Sequence, residues 1–158
     1  FTRAALASEL GREPTNDEIV EREELVKGKL AHFSHVNAFD KSADTTKMTQ
    51  YDFVSSNFVA ESIASDKAEW LRALQNITSY VASGGFLSMT VIRNAEYWVS
   101  GGKMYPAYPV SHDDVIDELK KLGFEITLDH QIDADIIDHD DPGYEGYDGM
   151  VFVLAQRS

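Results

Sequence analysis

The densest chemistry in the sequence lies near its end. Between Lys121 and Arg157 there is no Lys or Arg, while Asp129, Asp133, Asp135, Asp138, Asp140, Asp141, Glu145 and Asp148 all occur. Such a stretch is either a solvated acidic loop or a set of carboxylates that draws cations into a cleft. The run from Asp133 to Asp148 is rich in hard oxygen ligands, but it lacks a calcium loop's spacing, with its central glycine and terminal Glu. His139 stands alone among these acids, and with no cysteine in the chain a zinc site has no visible partners. No metal is expected. A second place for chemistry is the end of the compact apolar run Tyr51 to Ser56, which closes in two serines and Asn57, a polar strand end. Asn76, Ile77 and Thr78 spell a glycosylation sequon inside a helical pattern, where it is incidental.

Composition narrows the partners. The 158 residues, 43% of them hydrophobic, suffice for one core and are read as a single domain over 1–158. Net charge is -13, from 14 basic and 27 acidic side chains, which repels phosphate backbones and anionic lipid alike. No nucleic acid and no membrane partner is expected, and no stretch approaches the roughly 20 apolar residues of a membrane helix. Absence of cysteine and of a leader fits a reducing compartment, so the expected localisation is cytoplasmic. The chain starts at Phe1 rather than Met, which leads us to expect sequence upstream.

The elements that must position these residues follow from periodicity. Thr15, Asn16 and Asp17 cap a largely exposed helix that runs to about Ala31. Phe33 to Phe39 alternates weakly, as a short strand would, and Lys41 to Gln50 is a polar loop. Tyr51 to Ser56 is of the buried-strand type. Asp66 then caps a helix carrying Trp70, Leu71, Leu74, Ile77 and Val81 on one face, with Gly84 and Gly85 as its stop. Phe86 to Ile92 is a buried strand, parallel to the one before across a helical crossover. Ser111, with Asp113 and Asp114 in the first turn, opens a helix with Val115, Ile116, Leu119 and Leu122 inside and Gly123 at its close. Phe124 to Ile132 and Met150 to Ala155 are strands with no helix between them, hence antiparallel. The fold class is α/β, a Rossmann-like sheet that is mostly parallel with an antiparallel last strand.

That order of elements resembles the C-terminal half of a class I methyltransferase sheet, and particular segments carry a closer likeness. YDFVSSNFVAES (Tyr51–Ser62), ALQNITSYVASGGFLSM (Ala73–Met89), NAEYWVSGGKMYPAYPVS (Asn94–Ser111), LKKLGFEI (Leu119–Ile126) and GMVFVLAQR (Gly149–Arg157) follow one another without large gaps. In that order they resemble the nicotinamide, phenylethanolamine and indolethylamine N-methyltransferase family. The resemblance implies in-line transfer of a methyl from S-adenosylmethionine to the lone pair of a small-molecule amine, a reaction that needs alignment and desolvation more than covalent help.

Carboxylates near the nitrogen would orient the amine and accept its proton. By the family pattern Glu61 is the acid behind the fourth strand that faces the amine, unless it is only a solvated helix-entry charge. Glu145 is a second such acid before the last strand, with Asp148 as its alternative. Asn94 stands where some relatives carry a third acid, and Trp98 stands at a family tyrosine, where it either covers a cation or packs. For the cofactor, Ser56, Asn57 and Phe58 align with contacts to the methionine part, and Val36, Asn37 and Ala38 with those near adenine. Family members usually have Asp where Asn37 stands; an amide can also serve the adenine edge.

One part of the pattern is missing. There is no glycine-rich turn after a first strand and no acid at the end of a second strand to hold the ribose. In the usual sheet of this fold the first and second strands lie between the third and the fourth. We therefore expect a missing N-terminal segment, or a partner chain, to complete the sheet, or the N-terminal helix to pack differently, and we expect this chain alone to bind cofactor poorly. Two other classes stay open: a noncatalytic methyltransferase-like subunit, and a small-molecule O- or S-methyltransferase.

Overall fold

A computed structural model describes residues 2–29, 36–40, 50–136, 138, 140 and 144–158. It divides into two compact units, Phe1–Val36 and Asn37–Ser158.

The first unit is a helical pair, α1 (Thr2–Leu10) and α2 (Asn16–Lys29). Thr15 and Glu18 form a reciprocal cap: the Glu18 amide donates to Thr15 Oγ1 at 3.3 Å, and the Glu18 carboxylate accepts from the Thr15 amide at 2.8 Å. Arg12 donates to both oxygens of the same carboxylate and holds its pKa down to about 2. As expected from its many charges, α2 buries none of its residues.

In the second unit the order is β1 (Tyr51–Asn57), α3 (Ala60–Ile63), α4 (Lys67–Ser79), β2 (Val81–Arg93), β3 (Tyr97–Ser100), β4 (Lys103–Pro106), α5 (His112–Lys121), β5 (Phe124–Asp133) and β6 (Gly149–Arg157). The main sheet runs β1-β2-β6-β5, with β1 and β2 parallel and β6 antiparallel to both its neighbours. Three strands of this sheet therefore point one way and the last opposes them, as expected. Leu87, Met89 and Val91 of β2 sit beside Ala155, Val153 and Val151 of β6 on one face. That face packs against Trp70 and Leu74 of α4 and Val115 and Leu119 of α5 to make the core. Burial of these apolar side chains, about 25 cal/mol per Å2, is the main force holding the layers together.

Four expectations change. Tyr51–Asn57 is a strand but not a buried one: Tyr51 is 52% and Phe53 58% exposed. Among the described residues β1 pairs with β2 alone, so it is an edge. Gly84 and Gly85 do not stop the helix, which ends at Ser79 with Tyr80 as its C-cap; both glycines and Val81 belong to β2. A side chain at Gly85 would have little room there, because a Cβ would lie 3.0 Å from the carbonyl oxygens of Asp52 and Ala82 where the β1–β2 register shifts. Of the expected strand at 33–39, residues 33–35 lie outside the described set, as do 41–49 of the expected loop, and 36–39 are not strand. The hairpin β3–β4 was not anticipated. Its signal was in the sequence, since Gly101 and Gly102 take positive φ (57° and 74°) in a two-residue turn between alternating segments.

Asn76 is 8% exposed and donates to the Ala38 carbonyl at 2.7 Å, which leaves the sequon no room for a glycan.

Helix α5 is fixed at its start in two ways, and each yields a measurable expectation. Ser111 and Asp114 form a capping box. Ser111→Ala should cost about 1 kcal/mol and lower the melting temperature by about 2–4 °C. His112, the first helical residue, is clamped between Asp129 (Nε2 to Oδ2, 2.6 Å) and Asp113 (Nδ1 to Oδ1, 3.0 Å). Burial opposes the imidazolium, but the two carboxylates together outweigh it and raise the His112 pKa. A raised folded-state pKa contributes stability that is complete below the unfolded value and is lost as pH rises through the folded one. Melting temperature should therefore fall as pH rises above about 6.5, and the fall should be shallower in His112→Gln.

Candidate active site

At the carboxyl ends of β1 and β2 the chain leaves the sheet, and most residues singled out by sequence gather there. Strand β1 ends at Asn57, whose Oδ1 accepts from Thr90 Oγ1 of β2 at 2.9 Å and whose Nδ2 donates to Ser55 Oγ at 3.1 Å. Phe58 follows with φ of 57°, uncommon for a bulky residue, and its amide is tied to the Thr90 carbonyl at 2.8 Å. Ser56 is 7% exposed and Phe58 39%. This strand end is a held, left-handed turn with one buried hydroxyl, a shape that lets backbone groups face a ligand.

Beyond it, the single-turn helix α3 places Glu61. Its side chain is 1% exposed, and Oε1 accepts the Ile92 amide at 3.0 Å. Burial raises the pKa of this carboxyl against the lowering effect of that amide and its own. Glu61 therefore faces backbone, behind the end of β2.

Strand β2 ends at Arg93 and Asn94. Asn94 has φ of 52°, donates its amide to the Val110 carbonyl at 2.9 Å, and gives its side-chain Nδ2 to Asp148 Oδ2 at 2.8 Å. Tyr144 Oη also donates to Asp148, at 3.4 Å. Asp148 is further anchored by Arg93, whose Nη2 donates to its carbonyl at 2.8 Å and to Asp133 Oδ1 at 2.6 Å. The two expected substrate contacts Asn94 and Asp148 are thus a mutual pair that ties β2 to the start of β6.

The cavity lies alongside. It has a volume of 430 Å3 and is lined by Ile92, Tyr97, Trp98, Val99, Tyr144, Glu145 and Tyr147. Trp98 stacks on Tyr105 across the hairpin, with ring centroids 4.5 Å apart, and donates Nε1 to the Ser62 carbonyl at 3.0 Å. Tyr97 lies on Gly146, where an added Cβ would come within 2.7 Å of its ring, so only glycine lets the two meet. Glu145 is exposed to solvent, and its Oε2 accepts from Tyr147 Oη at 2.9 Å. That hydrogen bond, with burial, raises the Tyr147 pKa.

Sequence reasoning named Glu145 and Trp98 but missed Tyr97, Tyr144 and Tyr147. The signal was the clustering of tyrosines around the acidic stretch and the hairpin. Of the adenine-side residues, Asn37 accepts the Phe39 amide at 3.1 Å and Ala38 is held by Asn76. Val36 belongs to the first unit and is 56% exposed. His139 lies outside the described residues. No helix among those described is long and apolar enough to cross a membrane.

Phenylethanolamine N-methyltransferase from Sus scrofa is 29% identical over 108 residues, covering 67% of this chain and 37% of the relative. The Macaca mulatta protein of the same name is 27% identical over 107 residues, with the same shares. The chain thus spans little more than a third of the length of these relatives. Among solved structures, a SAM-dependent methyltransferase from Methanosarcina mazei superposes with a TM-score of 0.59 at 13% identity, over 90% of this chain and 78% of that one. The N-methyltransferase NodS from Bradyrhizobium japonicum, in complex with S-adenosyl-L-homocysteine, gives 0.54 at 12% identity, over 88% and 61%. At such identities these two speak to the fold, which is that of the class I S-adenosylmethionine-dependent methyltransferases. A family model described as NNMT/PNMT/TEMT matches residues 4–158, nearly the whole chain. This chain belongs to the NNMT/PNMT/TEMT family.

Proposed function

We propose that the chain carries the substrate-binding part of an S-adenosylmethionine-dependent N-methyltransferase acting on a small-molecule amine. The observation that carries the reading is the cavity at the carboxyl end of the sheet, where Glu145 stands among Tyr97, Trp98, Tyr144 and Tyr147. A carboxylate framed by aromatic rings suits an alkylammonium group: charge and hydrogen bonding hold the nitrogen, and ring faces attract the cation and exclude water. When bound, the cofactor supplies a methyl group already activated by the sulfonium charge. The chain's own residues then have two tasks. Glu145 takes the proton from the ammonium so that its lone pair is free, and Tyr147, bonded to that carboxylate, fixes its rotamer. Trp98 and Tyr97 restrict the amine's approach.

On the cofactor side the residues present fit part of the group. Ser56, Asn57 and Phe58 form the strand end that would take the methionine portion through backbone, and Asn37 and Ala38 would take the adenine portion. No glycine-rich turn stands in the sequence, so in this reading a further segment or chain would supply the remaining contacts, and among the described residues the unpaired edge of β1 would accept its strand. That gap also keeps a second reading in play, a noncatalytic methyltransferase-like subunit.

Calorimetric titration with 2-phenylethylammonium tests the amine reading directly. The chain should bind it weakly, and Glu145→Gln should weaken binding by about tenfold, the worth of one charge-assisted hydrogen bond. Equal affinity in both would favour an oxygen or sulfur acceptor, which carries no charge for Glu145 to meet. No binding by either would favour the noncatalytic subunit.

A further inference from the structure

The reading above leaves Glu61 without a task that its position allows. It is among the most deeply buried side chains of the chain, at 1% exposure, and it does not line the cavity. Its bonds all run to backbone. Oε1 accepts the amide of Ile92, whose side chain does line the cavity, at 3.0 Å. Its main-chain carbonyl accepts the Tyr108 amide at 3.0 Å, just after the hairpin. One residue on, the Ser62 carbonyl accepts the Trp98 indole at 3.0 Å. The single turn α3 is thus bonded to the end of β2 by the Glu61 side chain, to the chain beyond β4 by the Glu61 carbonyl, and to the cavity wall by Ser62.

Resting on the amine reading, we infer that Glu61 is a positioning residue: its carboxyl fastens α3 to Ile92 so that the Ser62 carbonyl holds Trp98 against the cavity, and Glu145 is the carboxylate that meets the amine. A helix of one turn has too few internal bonds to define its own orientation. Its end groups need outside partners, and a buried carboxyl bonded to a strand amide fixes both position and rotation. Burial raises the pKa of this carboxyl, which makes it a poorer partner for an ammonium than the exposed Glu145. Ala60 and Ala64, 3% and 1% exposed, anchor the flanks of α3 in the core, so the side chain of Glu61 governs the tilt of the turn rather than its existence.

The test uses the two tryptophans as reporters, since each gives one indole N–H signal in a nitrogen-15 spectrum. Glu61→Gln keeps an oxygen for the Ile92 amide and removes the acid. It should leave the Trp98 indole shift and exchange rate unchanged, and 2-phenylethylammonium affinity within about twofold. Glu61→Leu removes the acceptor at similar volume. It should speed exchange of the Trp98 indole by about tenfold or more and weaken amine affinity, with the Trp70 indole, linked to α3 only through Tyr108, changing far less. Should Glu61→Leu fail to fold, Glu61→Asp, a methylene short of Ile92, is expected to act in the same direction. Glu145→Gln should weaken affinity without touching the Trp98 signal. Loss of affinity in Glu61→Gln as large as in Glu145→Gln, with Trp98 unmoved, would mean that Glu61 meets the amine itself and would overturn the inference. So would a Trp98 signal indifferent to Glu61→Leu or Glu61→Asp. If the unaltered chain does not bind the amine, the amine reading fails, while the indole signals still decide whether Glu61 sets Trp98.

Discussion

Gly149→Ala is expected to lower the melting temperature by about 6–12 °C, corresponding to about 3 kcal/mol for a chain of this size. Gly149 has φ of 149°, in a region that only glycine occupies without strain. It is buried at the first position of β6, opposite Arg93 of β2 and Asp133 of β5. An added Cβ would run into the Ile132 carbonyl oxygen and lie 3.0 Å from the Asp133 Cα. Both are backbone, in a strand paired along its length, so neither can swing aside as a flexible side-chain tip would. The damage should reach the site, because the preceding residue is Asp148, whose amide donates to the Arg93 carbonyl at 3.0 Å and whose carboxylate takes the Asn94 side chain. Thermal melts and the Asn94 side-chain amide signal should therefore change together. A melting temperature within about 2 °C of the unaltered chain would mean that the start of β6 yields without cost, and the register argument would be wrong.

Which parts could be read from sequence has a physical pattern. Helices α4 and α5 were placed by caps and apolar stripes, signals contained within a dozen residues: the side chain of Asp66 accepts the Glu69 amide at 2.9 Å, and Ser111 does the same for Asp114. The antiparallel β5–β6 pair followed from the lack of a helical pattern between the two strands. What failed depended on neighbours. Tyr51–Asn57 has a buried strand's composition, yet its burial is decided by whether another strand lies beside it, which no local pattern records. Gly84 and Gly85 looked like a helix stop because a Gly-Gly step after an apolar stripe is ambiguous between a C-cap and a strand bend. At the cavity, Glu145 and Trp98 were nominated by family pattern, whereas the tyrosines that line it beside them are joined across chain separations that spacing does not reveal. Asn94 and Asp148 were nominated separately as ligand contacts. Their bond to each other spans 54 residues and makes them a structural pair as well.

The chain's two tryptophans should respond oppositely to truncation, and Trp70→Ala has the larger effect on stability. Trp70 is 1% exposed in the core between α4 and the sheet, with its ring stacked on Tyr108 at a centroid distance of 6.0 Å. Removing a fully buried indole deletes its transfer energy and leaves a void that the packed strands behind it cannot fill, for a loss of about 3–5 kcal/mol. In urea the midpoint should fall with the slope unchanged, since the same surface is exposed on unfolding. Trp98 is half-buried and lines the cavity, so Trp98→Ala should spare most of the stability and instead weaken 2-phenylethylammonium binding by roughly tenfold, the contribution of a desolvated ring face to a cation. Tyr108 joins the two sites: it stacks on Trp70 and donates its amide to the Glu61 carbonyl. Some loss of amine affinity is therefore expected in Trp70→Ala as well, smaller than in Trp98→Ala. If Trp70→Ala instead cost binding more than Trp98→Ala did, the cavity would be held open by the core beneath it and not by the hairpin above.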